Sequence, residues 1–305
     1  MSGTFYCHAE LGDPWALEMP AIPDSISFHV VTAGVCWLRV PDTAPIELRS
    51  GDLALVPHGF GHDLLSAPDA RRGPRVDLLP QQYVSTRYSV LRHGGTGRDA
   101  QLICGVVSFD DAAARELMRT LPVVLLIRGD SVSAASSIRD TLRLMAGELV
   151  HPQLGGEVVA TRLADILVVQ AIRSWLSDDP QSATGWLHAI QDARIGSALE
   201  AIHDDPGHEW TLDLLATVAT MSRSSFSARF TELIGEPPIS YLTRWRMNVA
   251  ESRLREHDIT ASQVATELGY RSEAAFNRAF TRIIGRTPGS IRAQRRNPAT
   301  GTKGR

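Results

Sequence analysis

Apolar residues along this chain follow two periods, and the change from one to the other divides it. From Ile26 to about Ile127, short runs of Val, Ile and Leu (ISFHVVTAGVCWLRV, IELRSGDLALVPHG, HDLLSA, QLICGVVSF, VVLLI) are broken by Gly, Pro and Asp. Such runs predict the strands of a sandwich or barrel. The polar stretch Arg71 to Thr96, with Gly and Pro, predicts a long loop. From Asp130 the spacing turns helical. Ser136 to Val150 puts Ile138, Leu142, Met145 and Leu149 on one stripe, and Glu157 to Leu176 carries Val159, Leu163, Ile166 and Val169 on more than one face. A lone surface helix needs only one apolar stripe, so a second chain is expected against this pair, with burial inside its own domain as the alternative.

The last third repeats itself. Met221 to Tyr241 overlies Arg271 to Ile291 at an offset of fifty residues, matching Ser222 with Ser272, Phe226 with Phe276, Phe230 with Phe280, Gly235 with Gly285 and Pro238 with Pro288. Two copies are too few for a solenoid and point to a duplicated small motif. Each reads as helix, tight turn, helix. Thr211 and Ser222 cap the first pair, Thr260 and Ser272 the second, and Gly235 ends the helix that holds Phe226 and Phe230. The second turn is one residue longer, with Gly269 where a left-handed residue is needed. Between the copies, Pro238 to Glu256 predicts one helix with Leu242, Trp245, Val249 and Leu254 inward and Arg244, Arg246, Arg253 and Arg255 facing solvent.

With 305 residues, 43% hydrophobic and 21% charged, the chain has the size of two or three ordinary domains. It has no apolar window long enough to span a bilayer and no basic-then-apolar leader, so the expected location is the cytoplasm, away from membranes. Cys7, Cys36 and Cys104 form no CxxC and no even framework, so structural disulfides are not expected. The net charge of −3 is uneven: residues 186–305 hold 16 basic and 13 acidic residues, the rest 15 and 21. The C-terminal part is therefore the one suited to a polyanion.

Two chemistries suggest themselves in the first part. The run from Gly51 to His62 (GDLALVPHGFGH) resembles the second motif of cupins, in which the first Gly turns into a strand, Pro-x-Gly makes the next corner and the His points into the barrel. Ser66 stands where that motif has Asn, and no HxH precedes Gly51. The remaining candidate metal ligands are His29, His62 and Cys104, a nitrogen and sulfur set that suits zinc; the bland reading makes all three core residues. Redox sensing is the other candidate. Cys7, between Tyr6 and His8, has an imidazole neighbour that favours the thiolate, whereas Cys104 lies in an apolar strand.

The sequence VATELGYRSEAAFNRAFTRIIGRTPGSIR carries, in order, the Ala, Gly-Tyr, Ser, Phe, Arg-x-Phe and Gly-x-x-Pro of the AraC/XylS transcription regulators, and about 105 residues resemble their C-terminal domain. The first part resembles the cupin sensor branch of that family, which includes regulators that answer oxidants and reactive chlorine, with His29, His62 and Cys104-Gly105 at matching positions; Cys7 and Cys104 would be the sensor thiols. The resemblance implies an α+β multidomain protein: a cupin-like β-barrel sensor over residues 1–128, a helical dimerisation segment and linker over 129–184, an all-α double helix-turn-helix domain over 185–298 and a disordered tail over 299–305. It implies double-stranded DNA, RNA polymerase, a second copy of the chain and a small-molecule or oxidant effector as partners, and an activator of transcription rather than an enzyme. Its DNA contacts would come from Arg223, Ser224, Ser227, Ala228 and Arg229 in the first copy. In the second they would come from Arg271, Ser272, Glu273, Ala274, Asn277, Arg278 and Arg282, with Arg286 and Arg292 on the backbone. Small residues read a thymine methyl, Asn suits adenine, Arg guanine and Glu a cytosine amino group. The competing class is a metal-dependent cupin enzyme with an accessory helical domain.

Overall fold

The strand-forming runs assemble into two sheets. One has seven strands in the order β11-β6-β3-β10-β1-β9-β8, and the other has four in the order β2-β7-β4-β5. The strands are β1 (Thr4–Gly12), β2 (Ala16–Met19), β3 (Ser25–Ala33), β4 (Val35–Arg39), β5 (Ile46–Arg49), β6 (Leu53–Val56), β7 (His62–Leu65), β8 (Gln82–Tyr83), β9 (Tyr88–Gly94), β10 (Asp99–Ser108) and β11 (Leu125–Ile127). The inner faces share one core, to which Leu11, Val31, Leu91 and Leu102 come from the larger sheet and Leu17, Leu38, Leu48 and Leu64 from the smaller. This is the two-sheet packing of alternating inward residues expected of a barrel or sandwich. The structure adds β1 and β2, ahead of the predicted region, and β8 and β9, inside the predicted loop. Helix α1 (Ala112–Thr120), between β10 and β11, was also not expected from the sequence.

The computed structural model describes residues 4–108, 112–129, 135–150, 155–178, 189–190 and 192–296. The expected linker, Asp178 to Thr184, lies outside these residues except for Asp178, and the tail at 299–305 lies wholly outside them. Two compact units result, Met1–Asp110 with Leu121–Ser182, and Asp111–Thr120 with Ala183–Arg305. In the first, α2 (Ala135–Val150) and α3 (Gly156–Asp178) pack on one another, and α3 also meets β1, β10 and β11. The buried face of α3 is Ala160, Ala164, Leu167, Val168 and Ala171. Val159 and Ile166, read as part of its apolar side, are exposed, as are Val158 and, on α2, Leu144. No helix among the described residues is long and apolar enough to cross a membrane.

The second unit is helical: α4 (Ala193–Asp204), α5 (Leu212–Val218), α6 (Arg223–Ile234), α7 (Pro238–Glu256), α8 (Ala261–Glu267), α9 (Glu273–Ile284) and α10 (Pro288–Arg296). The caps are those the sequence marks. Thr211, Ser222, Thr260 and Ser272 each accept a backbone N–H with the side-chain oxygen, Thr260 in a full capping box with Gln263. Gly235 and Gly285 end α6 and α9 in the left-handed region.

The turns of the two copies are closer than their lengths suggest. Met221 N–H donates to Ala216 O, and Tyr270 N–H to Ala265 O, each at 2.9 Å, so both turns close with the same six-residue hydrogen bond. The residue before that donor is left-handed in each: Thr220 at φ 53° and Gly269 at φ 74°. The extra residue of the second copy is therefore Arg271, inserted after the turn and before the cap Ser272. A β-branched residue at positive φ is unusual and costs the first turn some strain that Gly spares the second. A Cβ on Gly269 would also stand 2.4 Å from the Gly207 carbonyl oxygen. Gly269→Ala should lower the stability of the second unit by about 1–3 kcal/mol, read as a lower urea midpoint with an unchanged slope; an unaltered midpoint would show that the turn has another way to form.

Candidate functional site

A single row crosses the larger sheet: Ser89, Cys7, Cys104, His29 and Ala54 are partners in register on β9, β1, β10, β3 and β6. Cys7, Cys104 and His29 line a cavity of about 180 Å³ whose wall is otherwise mainly apolar, with Phe5, Leu17 and Leu64 among its residues. Part of the stretch predicted as a loop, at Val76, Gln81 and Tyr83, closes its side.

The cupin-like run positions His62. Gly51 turns at φ 95°, Pro57–Gly59 makes a short 3₁₀ corner, and His62 at the start of β7 is almost wholly buried. His62 Nε2 lies 2.7 Å from His29 Nε2, and His62 Nδ1 lies 3.0 Å from the Phe60 carbonyl. A carbonyl only accepts, so Nδ1 of His62 carries the proton and its Nε2 is the acceptor of a bond from His29 Nε2–H. That leaves His29 Nδ1 as a bare, buried acceptor, and it has no partner. Burial holds both imidazoles below the usual value of 6.5, His29 well below it, with the neighbouring His62 adding to the effect. For His62 the Phe60 bond and Asp63 work the other way.

Two sequence expectations change here. His29, His62 and Cys104 do not converge as a ligand set: among the described residues no three His, Cys, Asp or Glu side chains are grouped to hold a metal ion. The imidazoles bond to each other instead. Cys7, expected to be favoured as a thiolate by His8, is in a central strand, buried, with its pKa raised by burial despite Ser89 and Leu91 bonds that favour the thiolate. Burial raises Cys104 and Cys36 as well, Cys36 to about 12. The thiols are free. Cys7 and Cys104 nonetheless face one another directly across an antiparallel pair, where Cα atoms lie about 4.5–5.5 Å apart, inside the span of a disulfide.

In the helical unit, the exposed faces of α6 and α9 follow one template. Arg223, Ser224 and Ala228 are exposed, with Ser227 and Arg229 half-buried; Ser272, Glu273, Ala274 and Arg278 are exposed, with Asn277 half-buried. Beneath them Phe226 and Phe230, and Phe276 and Phe280, are fully buried. Asn277 reaches out less than Arg278, and its Oδ1 is buried without a partner.

The arginines differ in freedom. Arg229 Nε and Nη2 donate to Asp192 at 3.2 Å and its Nη1 to Glu232 at 3.1 Å, so its charge is already matched. Arg223 and Arg271 make open surface pairs with Asp213 at 3.6 Å and Glu209 at 3.0 Å, which water and salt weaken. Arg292 lies 3.9 Å from Asp258, and Arg282 is exposed beyond Tyr270. The arginines of α7, expected to face solvent, are held. Arg246 donates to the Pro206 and His208 carbonyls at 2.6 and 2.7 Å, Arg253 pairs with Glu267, and Arg255 with Glu251 at 2.5 Å. Arg244 is the most buried, with its side chain 12% exposed and bonded to Glu236 and Glu116. The partners of Arg244, Arg246 and Arg253 come from outside α7 and were not visible in the sequence, whereas Glu251 stands one turn before Arg255 on α7 itself.

The chain matches the family described as Cupin over residues 1–177 and the one described as Helix-turn-helix domain over residues 215–294. It is similar to a putative AraC-like transcription regulator of Streptomyces antibioticus, 34% identical, over 92% of this chain and 91% of that protein. It is 29% identical to the HTH-type transcriptional regulator AlkR of Acinetobacter baylyi over 95% of this chain and 94% of AlkR. It is 25% identical to RclR, the RCS-specific HTH-type transcriptional activator of Escherichia coli, over 97% and 95%. All three are named as regulators rather than enzymes.

The buried histidine pair carries a pH signature. An unfolded chain takes up protons at His29 and His62 below about pH 6.5, whereas the folded barrel resists doing so, so the folded state should lose stability as the pH falls from 7.5 to 5. Each imidazole that stays neutral contributes a slope of up to about 1.4 kcal/mol per pH unit. Urea titrations at the two pH values should show this loss in the wild type and a smaller one in His29→Gln. Equal losses would mean that His29 titrates normally.

Proposed function

The chain belongs to the AraC-like transcription regulators, DNA-binding proteins with a cupin domain ahead of a helix-turn-helix region, and on that footing we propose how it is controlled and which residues read DNA. The observation that carries the control reading is the His29 Nδ1 acceptor, buried without a partner on a residue lining an apolar cavity. A ligand with an apolar body and one hydrogen-bond donor satisfies both. An apolar cavity of about 150 Å³ is known to take a six-carbon molecule, and this one is similar in size. The effector is therefore a small, largely apolar compound carrying a hydroxyl or N–H. Oxidation is the second reading, favoured by the register of Cys7 against Cys104: joining them removes two electrons and two protons, which the oxidant must accept. Their burial and raised pKa values weigh against rapid attack.

The reading helices are α6 and α9, and the second makes more of the hydrogen-bonded contacts. Arg278 is exposed on the recognition face, while Arg229 is matched by Asp192 and Glu232. Ser224, Ser227 and Ala228 give the first copy a face suited to methyl and shape contacts. Arg271, Arg282 and the caps at Ser222 and Ser272 position the phosphates. The exposed Leu144, Val158, Val159 and Ile166 on α2 and α3 support a homodimer on paired sites. The domain ranges inferred from sequence, a cytoplasmic location, and activation through RNA polymerase belong to the same proposal.

Two experiments test this. In the first, the full chain is used to select duplexes from a random-sequence library; Arg278→Ala should cost about 1–3 kcal/mol at one base step, whereas Arg282→Ala should weaken all duplexes alike and flatten the salt dependence by about one unit. Light scattering of the complex should count two chains per duplex, and failure to select any duplex would defeat the reading of α6 and α9. In the second, saturating hexan-1-ol should raise the melting temperature of the full chain more than hexane does, and His29→Leu should abolish the difference. No rise with either compound would remove the cavity as the effector site.

A further inference from the structure

The chain leaves the first unit after β10, contributes α1 to the second unit, and returns to the first for β11. Helix α1 packs on α7. Its Ala112 lies in the same buried cluster as Phe226, Phe230, Tyr241 and Trp245. One turn on, at the i+4 position that faces the same way, comes Glu116, only 4% exposed. Its carboxylate is gripped by the fork of Arg244: Nη2 donates to Oε1 at 2.9 Å and Nη1 to Oε2. The same guanidinium donates from Nε to Glu236 at 2.8 Å and lies 5.0 Å from the centre of the Tyr241 ring. Glu236 belongs to the turn between the end of the first recognition helix, α6, and the start of α7.

Burial opposes the charge on Arg244, but the bonds and charges of Glu116 and Glu236 outweigh it, so its pKa is raised. Such a pair has two comfortable arrangements. Either the carboxylate is seated in the arginine fork, or the helix is away, with Glu116 in water and Arg244 left to Glu236; the intermediate, a buried carboxylate without its partner, is costly. This makes the seating of α1 a two-state event rather than a graded one. The strand that leads into α1 is β10, which supplies Cys104 and Val106 to the cavity wall.

We propose that α1 couples the cupin domain to the DNA-reading domain, its seat on α7 latched by the ion pair between Glu116 and Arg244. Glu116 and Arg244 are positioning residues and touch neither ligand nor DNA. The inference rests on the regulator reading for its probe, a duplex selected by the full chain from random sequence. Coupling is reciprocal, so DNA binding must be felt in the strands flanking α1.

The test is hydrogen exchange of the full chain with and without that duplex. In the wild type, duplex should change amide exchange in residues 99–108 and 121–127 by at least about threefold. Glu116→Gln should still bind duplex but lose this response. Glu236→Gln, which removes a carboxylate from the same arginine and leaves Glu116 in place, should keep it. A full response in Glu116→Gln, or none in the wild type at saturation, overturns the proposal. Should Glu116→Gln fail to fold by circular dichroism, Arg244→Lys, which keeps the charge but not the fork, should show a reduced response; a full one overturns the proposal equally. If no duplex is selected, it is the DNA-reading assignment that fails. The latch is then decided without DNA: exchange of residues 112–120 should be about tenfold faster in Glu116→Gln, or in Arg244→Lys if that variant is the one that folds, than in the wild type, and equal rates overturn it.

Discussion

The DNA-reading domain depends on one helix belonging to two cores at once. Tyr241, Leu242 and Trp245 of α7 are buried with Phe226 and Phe230, while Met247, Ala250 and Leu254 are buried with Phe276 and Phe280; Val249 packs against both clusters. Neither copy of the motif has a complete core without α7. Its polar side repeats the arrangement, since Arg246 holds the loop before α5 and Arg253 holds Glu267 at the end of α8. A helix of 19 residues is about 28 Å long, so the spacing of α6 and α9, the helices proposed to read DNA, is set by a rigid rod rather than a linker.

The cupin domain has its own organising pair. Once His62 donates its Nδ1–H to the Phe60 carbonyl, the proton position on His29 follows, and so does the bare acceptor on a cavity-lining residue. The His62 ring is thus a hydrogen-bond partner of His29 at the edge of the cavity, an arrangement suited to the recognition proposed above. The regulator relatives fit this better than the enzyme alternative does.

How much of this was legible in the sequence varied with the range of the interaction responsible. Caps and stops are local, and Thr211, Ser222, Thr260, Ser272, Gly235 and Gly285 were all readable from single residues beside an apolar period. Helix α7 was readable to the residue at both ends because Pro238 marks its start. The N-terminal strand was not, because TFYCHAELG is stabilised by partners more than eighty residues away, and the alternation that buries Cys7, Ala9 and Leu11 is blurred by Tyr6, which is buried on the other face. The environment of Cys7 was misread for the same reason: Tyr6 and His8 are its neighbours in sequence, Ser89 and Cys104 in space. Helix α1 and the burial of Arg244 were invisible, since nothing near Arg244 in the sequence announces a carboxylate 128 residues earlier.

The placement of that first strand has a consequence for how the barrel comes into being. β1 lies between β9 and β10, parallel to one and antiparallel to the other, yet it leaves the ribosome before either. The larger sheet cannot close around its middle until residue 108 has been made, and every closure spans a long loop. Topologies of this kind fold slowly for their size, and a nascent chain waits with an apolar strand unpaired. The cavity, whose wall includes Phe5 and Cys7 from that strand, is therefore among the last parts of the cupin domain to exist.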